Sequence, residues 1–197
     1  MRGFFMRRIL TFLIVLLSGG LLVACTTQPE SKTDGPKLNP NGSVTTVYMV
    51  RHAQKEAGKD PALTEAGKER AKRLANLLKK ENVVKVYSTD TRRTRDTAAP
   101  VARQFGLEVE IYEPMHRYRM ADRFKSQPGV IVVVGHSNTI PDMAAAVEDR
   151  DEPYLDINER DYETMYWADI MPDGKVIVVE RTYKDLIKRM NEFHPKK

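Results

Sequence analysis

The chain has 197 residues, a length that suits one domain with an appendage, and carries 32 Lys and Arg against 27 Asp and Glu for a formal charge of +5. Its 41% hydrophobic and 30% charged residues fit a globular chain with a real core. Eleven Gly, eleven Pro and a single Cys exclude collagen-like, low-complexity and disulfide-stapled folds, and one cysteine cannot close an internal disulfide.

Residues 1–8 (MRGFFMRR) are basic, residues 9–17 (ILTFLIVLL) are continuously apolar, and Ser18-Gly19-Gly20 follows. A charged, an apolar and a small-residue region in that order define a secretory signal. The apolar run is shorter than the roughly 20 residues of a permanent span. Removing residues 1–24 takes away Arg2, Arg7 and Arg8 and no acid, leaving +2, too little to argue for nucleic acid as a partner. Cys25 stands directly after Leu22-Val23-Ala24, an arrangement that resembles the bacterial lipoprotein signal. The resemblance implies a signal peptide over 1–24, lipid on the Cys25 sulfur and an acyl chain on its new amine. It also implies a place in the bacterial cell envelope, lipid-anchored on the periplasmic or extracellular face. Several acyl chains hold a protein firmly where one gives marginal binding. An uncleaved anchor or an ordinary secreted protein are the alternatives. Residues 26–43 (TTQPESKTDGPKLNPNGS) bury too little apolar surface to offset ordering entropy. With Cys25 they are expected to form a flexible tether, 25–43, ahead of a folded domain at 44–197.

Val44–Val50 is a β-rich run ending at Arg51-His52. Thr64 is placed to cap a helix from Glu65 to about Lys80, with Leu63, Gly67, Ala71, Leu74 and Leu78 at helical spacing. Val83–Tyr87 predicts a second strand, and Thr91–Phe105 a helix closed by Gly106. Glu108–Tyr112 alternates like a half-buried strand, and Met115–Gln127 is expected to be helical. Val130–Val134 (VIVVV) carries the mark of a strand covered on both faces. Ile140–Val147 reads as a helix, and Pro172-Asp173-Gly174 as the turn of a hairpin between Thr164–Met171 and Lys175–Tyr183. Strands alternating with helices predict a three-layer α/β/α sandwich with a mainly parallel central sheet.

His52 and His136 each follow directly on an apolar strand. In open α/β sheets ligands bind beyond the carboxyl ends of the strands, so neighbouring strands would bring both rings to one crevice. Ser88–Ala98 (STDTRRTRDTA) also follows a strand and opens a helix, whose free N–H groups favour anions; Gly135-His136-Ser137-Asn138 repeats that arrangement. Cationic and donor groups thus converge as a phosphate cradle.

Arg51-His52-Ala53, YSTDTRRTRDTA and GHSN, in this order over about Val44–Val147, resemble the histidine phosphatase superfamily in its phosphoglycerate-mutase-like branch. The resemblance implies that His52 is the nucleophile, accepting a phosphoryl group on a ring nitrogen. Arg51 and Arg93 would bind the equatorial oxygens, and His136 would complete the cradle, with Ser137 beside it. Arg93 is selected by its place four residues before the Thr of the closing Thr-Ala pair, while Arg92 and Arg95 are expected to be solvated. No metal and no cofactor are implied. The leaving-group acid would be a carboxylate after the third strand, where Glu113 is nearest; Glu159 or Asp161 would serve if their loop folds over the pocket. Ala53 and Gln54 stand where the commoner motif has Gly and Glu, so Gln54 cannot donate that proton. His116 and His194 are expected to be solvated, Trp167 to pack, and the basic segment with Arg117, Arg119, Arg123 and Lys125 to be a solvated face.

The expected activity is therefore a metal-independent phosphomonoesterase acting on a phosphorylated small molecule or envelope substrate. Rivals are a phosphoryl-transferring mutase and a lipoprotein that binds phospho-ligands without turnover. The 17 residues between the third and fourth predicted strands, 113–129, form a short rim that favours hydrolysis, because water must reach the intermediate.

Overall fold

The fold is taken from a computed structural model, which describes residues 37–195. The signal-like segment 1–24, Cys25 and the first part of the expected tether lie outside the described residues. Six strands form one sheet: β1 (Thr45–Arg51), β2 (Val83–Ser88), β3 (Val109–Ile111), β4 (Gly129–Gly135), β5 (Thr164–Ile170) and β6 (Val176–Thr182), in the order β3-β2-β4-β1-β5-β6. The first four in that order are parallel, whereas β5 runs antiparallel to β1 and β6 antiparallel to β5. Helices α1 (Glu65–Leu78), α2 (Arg92–Phe105), α3 (Arg117–Lys125), α4 (Thr139–Val147) and α5 (Tyr183–Phe193) flank it. Among the described residues no helix is long and apolar enough to cross a membrane.

The period of two along the central strands decides the layering. Tyr48 and Val50 of β1 and Val130, Val132 and Val134 of β4 join Leu74, Leu78, Val101 and Leu186 under α1, α2 and α5. Val47, Met49, Ile131 and Val133 point the other way, against Phe124, Ile140 and Met143 of α3 and α4. Every residue of β1 and β4 is buried, as the unbroken apolar run of β4 requires.

Local signals set the helix ends. The Thr64 hydroxyl accepts the Gly67 N–H at 3.1 Å, satisfying one of the free donors that open α1, and α1 stops at Leu78, two residues short of the expected end. Gly106 closes α2 with φ 64°, a conformation costly for any residue with a Cβ. Two features differ from expectation. Helix α5 follows the last strand, where the sequence reading assigned no element; a capping box between Thr182 and Asp185 starts it directly at the strand end, so that Tyr183 is helical and not the last strand residue. Packing also begins before Val44. Asn39 is buried and its amide donates to Ser43 Oγ at 3.1 Å and Thr46 Oγ1 at 3.4 Å, because small polar side chains here satisfy one another rather than water.

Candidate active site

The parallel pairing of β1 with β4 aligns Arg51 with Gly135 and sends both strands out at the same edge. The His52 N–H donates to the Gly135 carbonyl at 2.9 Å, extending the ladder by one residue. The two histidines therefore stand side by side, their ring centres 5.6 Å apart at 67°. His52 is 3% exposed, and its Nδ1 faces the Ala53 carbonyl at 2.9 Å. A carbonyl only accepts, so Nδ1 carries the proton and Nε2 carries the lone pair.

His136 takes the opposite tautomer. Arg93 Nη2 lies 3.3 Å from its Nδ1 and always donates, so the proton sits on Nε2, which lies 3.0 Å from Thr89 Oγ1. The Thr89 hydroxyl in turn donates to Thr94 Oγ1 at 3.1 Å. Burial lowers both rings to a pKa of about 4, assisted by the nearby positive charge of Arg51 and Arg93. Both imidazoles are neutral at physiological pH.

Arg93 enters from the first turn of α2, with Nη1 3.9 Å from Asp60 Oδ1. Asp60 also accepts the Arg92 N–H at 2.9 Å, so a side chain takes one of the free donors at the start of α2. Thr97 ties this helix to the loop after β1, accepting the Ala53 N–H at 3.0 Å and donating to the Arg93 carbonyl at 2.7 Å. Arg92 and Arg95 point outward, paired with Asp96 and Asp90.

Arg51 is buried and faces the segment between α4 and β5. Its Nη1 donates to the carbonyls of Asn158, Glu159 and Asp161 at 3.1, 2.8 and 3.0 Å, and its Nη2 to Glu159 Oε2 at 2.6 Å. The Tyr162 ring lies 4.5 Å from the guanidinium carbon and 6.3 Å from the His52 ring. Ser137 is buried and donates its hydroxyl to Glu159 Oε1. That hydrogen bond, with Arg51, His52 and Lys55 around it, holds the Glu159 carboxyl below its ordinary range, even against partial burial. The Nε–H groups of Arg51 and Arg93 are both buried without a partner among the described residues.

His52, Arg51, Arg93, His136 and Ser137 therefore gather at one edge. Glu113 stands exposed after the outermost strand β3; its carbonyl accepts the His116 N–H at 2.9 Å, and its carboxylate has no hydrogen-bond or ion-pair partner among the described residues. Asp161 is engaged elsewhere, accepting the Thr164 hydroxyl at 2.6 Å. Sequence reasoning gave no role to Thr89, Thr97 or Tyr162; the closing Thr-Ala pair of the motif was the signal for Thr97. His194, expected to be solvated, instead meets the buried Glu81 carboxylate at 2.8 Å.

A family model described as histidine phosphatase superfamily, branch 1, matches residues 47–116. A probable phosphoglycerate mutase, GpmB, of Photorhabdus laumondii subsp. laumondii is 35% identical over 79 residues, 36% of this chain and 36% of its own length. The chain thus matches about a third of the length of that curated relative. Among solved structures, the protein histidine phosphatase SixA complexed with tungstate superposes with a TM-score of 0.57 at 16% identity, covering 72% of this chain and 99% of that one. A phosphoserine phosphatase from Entamoeba histolytica, in complex with 3-phosphoglyceric acid, superposes with a TM-score of 0.55 at 14% identity, covering 73% and 99%. These likenesses show a shared α/β fold. The segment 47–116, which carries the first histidine and the arginine-rich motif, matches the histidine phosphatase superfamily model, and the fold is one that these two phosphatases share.

Proposed function

We propose that this protein is a phosphomonoester hydrolase that works through a phosphohistidine on His52. The observation that carries the reading is the tautomer of His52: Nδ1–H is tied to the Ala53 carbonyl, and Nε2 makes no hydrogen bond among the described residues. A neutral imidazole with a free lone pair is the form that attacks phosphorus. Nε2 bonds to phosphorus as the ester oxygen departs with the bonding electrons. Water then attacks phosphorus as the P–N bond breaks and its electrons return to Nε2, releasing inorganic phosphate and regenerating the ring. The partnerless Nε–H groups of Arg51 and Arg93 are suited to the phosphoryl oxygens, and the His136 ring lies beside the His52 ring. Positioning and electrostatics of this kind carry most of phosphoryl-transfer catalysis, so the reading calls for no metal.

None of the three carboxylates weighed as the leaving-group acid suits that role in this arrangement. The Glu113 carboxylate is exposed and bonds to none of the cluster, Asp161 serves Thr164, and Glu159 is held ionised. The reading therefore favours esters whose leaving oxygen departs readily. A mutase is the second reading, supported by the match to a probable phosphoglycerate mutase. Against it stands the short rim, in which a single turn at Pro114–His116 and the nine-residue α3 take up the stretch between β3 and β4. We further propose that a lipid on Cys25 tethers the domain to the bacterial envelope.

The test is turnover of an aryl phosphate by the purified chain, with and without a chelator, beside His52→Ala. Chelator-resistant hydrolysis that falls by at least about a thousandfold in the variant, the scale of losing a nucleophile, supports the reading. Equal activity in the variant sinks it. Phosphate binding without turnover would favour a binding protein.

A further inference from the structure

Glu159 reaches the site from the segment between α4 and β5, and its two oxygens go to different partners. Oε2 accepts from Arg51 at the end of β1 at 2.6 Å, and Oε1 accepts from Ser137 beyond the end of β4. One carboxylate thus bridges the two strand ends between which the crevice opens. The hydrolase reading gives Arg51 to the phosphoryl oxygens, and Ser137 stands in the expected cradle beside His136. The same segment supplies the three carbonyls on Arg51, and the Ile157 N–H donates to the Ser137 carbonyl at 2.9 Å, anchoring the approach.

The pair is unequal in a way that matters. The Arg51 side chain is 1% exposed and the Glu159 side chain 73% exposed. The acid can swing into water, while the cation is fixed and must keep an anionic partner or stay costly. Loss of the carboxylate therefore costs the fold something, although the three carbonyls on Nη1 still hold the guanidinium in place. What the carboxylate does do is place a negative charge where a phosphoryl group has to sit.

We propose that Glu159 sets the affinity of this site by competing with the phosphoryl group for Arg51 and Ser137, an inference that rests on the hydrolase reading above. Substrate binding begins with displacement of the carboxylate, which moves out to water while Arg51 exchanges one anion for another. After hydrolysis the carboxylate returns and helps inorganic phosphate leave. The cost is a weaker Michaelis complex, and the gain is relief from product inhibition.

The test is calorimetric titration of the full chain with inorganic phosphate at mildly alkaline pH, for the wild type, Glu159→Gln and Glu159→Ala. Removing a charge-assisted contact from the competitor should tighten phosphate binding about tenfold in both variants. KM for an aryl phosphate and the inhibition constant for phosphate should fall together, while kcat holds or drops as release slows. A positioning role predicts the reverse split, with kcat collapsing and phosphate binding weakened, and would overturn the proposal; so would unchanged phosphate affinity. A single cooperative thermal transition well above the assay temperature verifies that each variant folds. If the wild type neither turns over the ester nor binds phosphate, and the variants do neither, the hydrolase reading fails and takes this proposal with it. Turnover dependent on His52 with no gain in phosphate affinity sinks the proposal alone.

Discussion

The chemistry assigned to His52 rests on a ring kept neutral, and that has a consequence measurable without substrate. His52 and His136 are both brought to a pKa of about 4 by burial and by Arg51 and Arg93, whereas the unfolded chain binds the same protons at about 6.5. The unfolded state therefore takes up protons first as pH falls. Stability is full above about pH 6.5 and is lost progressively toward pH 4. Carboxylates with lowered values, such as Glu159 and Asp185, begin to act only near and below the lower end of that window. The melting temperature should decline between pH 6.5 and 5, and His136→Gln should flatten the slope by removing one of the two groups. A slope unchanged in the variant would mean that the His136 ring titrates as it does in the unfolded chain. The histidines and both arginines were legible because each motif ends a strand at the same edge. Glu159 was legible only as a condition, since nothing in a stretch such as Asn158–Glu163 dictates how a loop folds back.

At the level of elements, Gly67 explains how α1 meets the loop that follows His52. A Cβ on Gly67 would lie 2.1 Å from the Gln54 carbonyl oxygen, which also accepts the Thr64 N–H at 3.0 Å. Arg70, one turn on, donates to Gln54 Oε1 at 3.1 Å and to the Tyr162 carbonyl at 2.9 Å, so α1 holds both the loop after β1 and the segment over Arg51. In an exposed helix, Gly→Ala gains about 1 kcal/mol. Here the clash is with backbone, and overpacking of this kind costs about 1–3 kcal/mol. Gly67→Ala should therefore destabilise the protein and lower aryl phosphatase activity with it, measured by urea unfolding and kcat/KM. A stabilised variant would show that α1 can shift away at no cost. The sequence revealed this helix through its cap and its spacing of apolar residues. It concealed α5, because the apolar run Val176–Val179 leads into Tyr183 with no glycine or proline, and only Thr182 and Asp185 mark the change. The alternation of Glu108–Tyr112 announced a half-buried strand, and β3 is short and half-exposed because it is the outer edge of the sheet.

Across the whole molecule, the strands carry two different kinds of polar cluster at their two ends. Beyond Arg51 lies the candidate site; at the other end of β1, about 20 Å away along seven residues of strand, Thr46 donates to Asp169 Oδ1 at 2.7 Å. Asp169 accepts both Nη groups of Arg189 on α5, at 2.9 and 2.7 Å, and each side chain of this pair is 12% exposed. The guanidinium also lies over the rings of Trp167 and Phe193, 4.9 and 5.0 Å from their centres. Through Thr46 the cluster reaches Asn39 and Ser43, so one carboxylate joins β5, β1, α5 and the residues that precede the first strand. Leaving one member of such a buried pair unmatched costs about 3 kcal/mol or more. Asp169→Ala strands Arg189 and removes the acceptor of Thr46, so urea unfolding should show a loss of that size. The site end should not feel it, because the strand between is held on both edges by β4 and β5. Well below the melting temperature, kcat and KM for an aryl phosphate should match the wild type. A fall in kcat at full folding would show that the Asp169 cluster sets the register of β1, and through it the placement of Arg51 and His52.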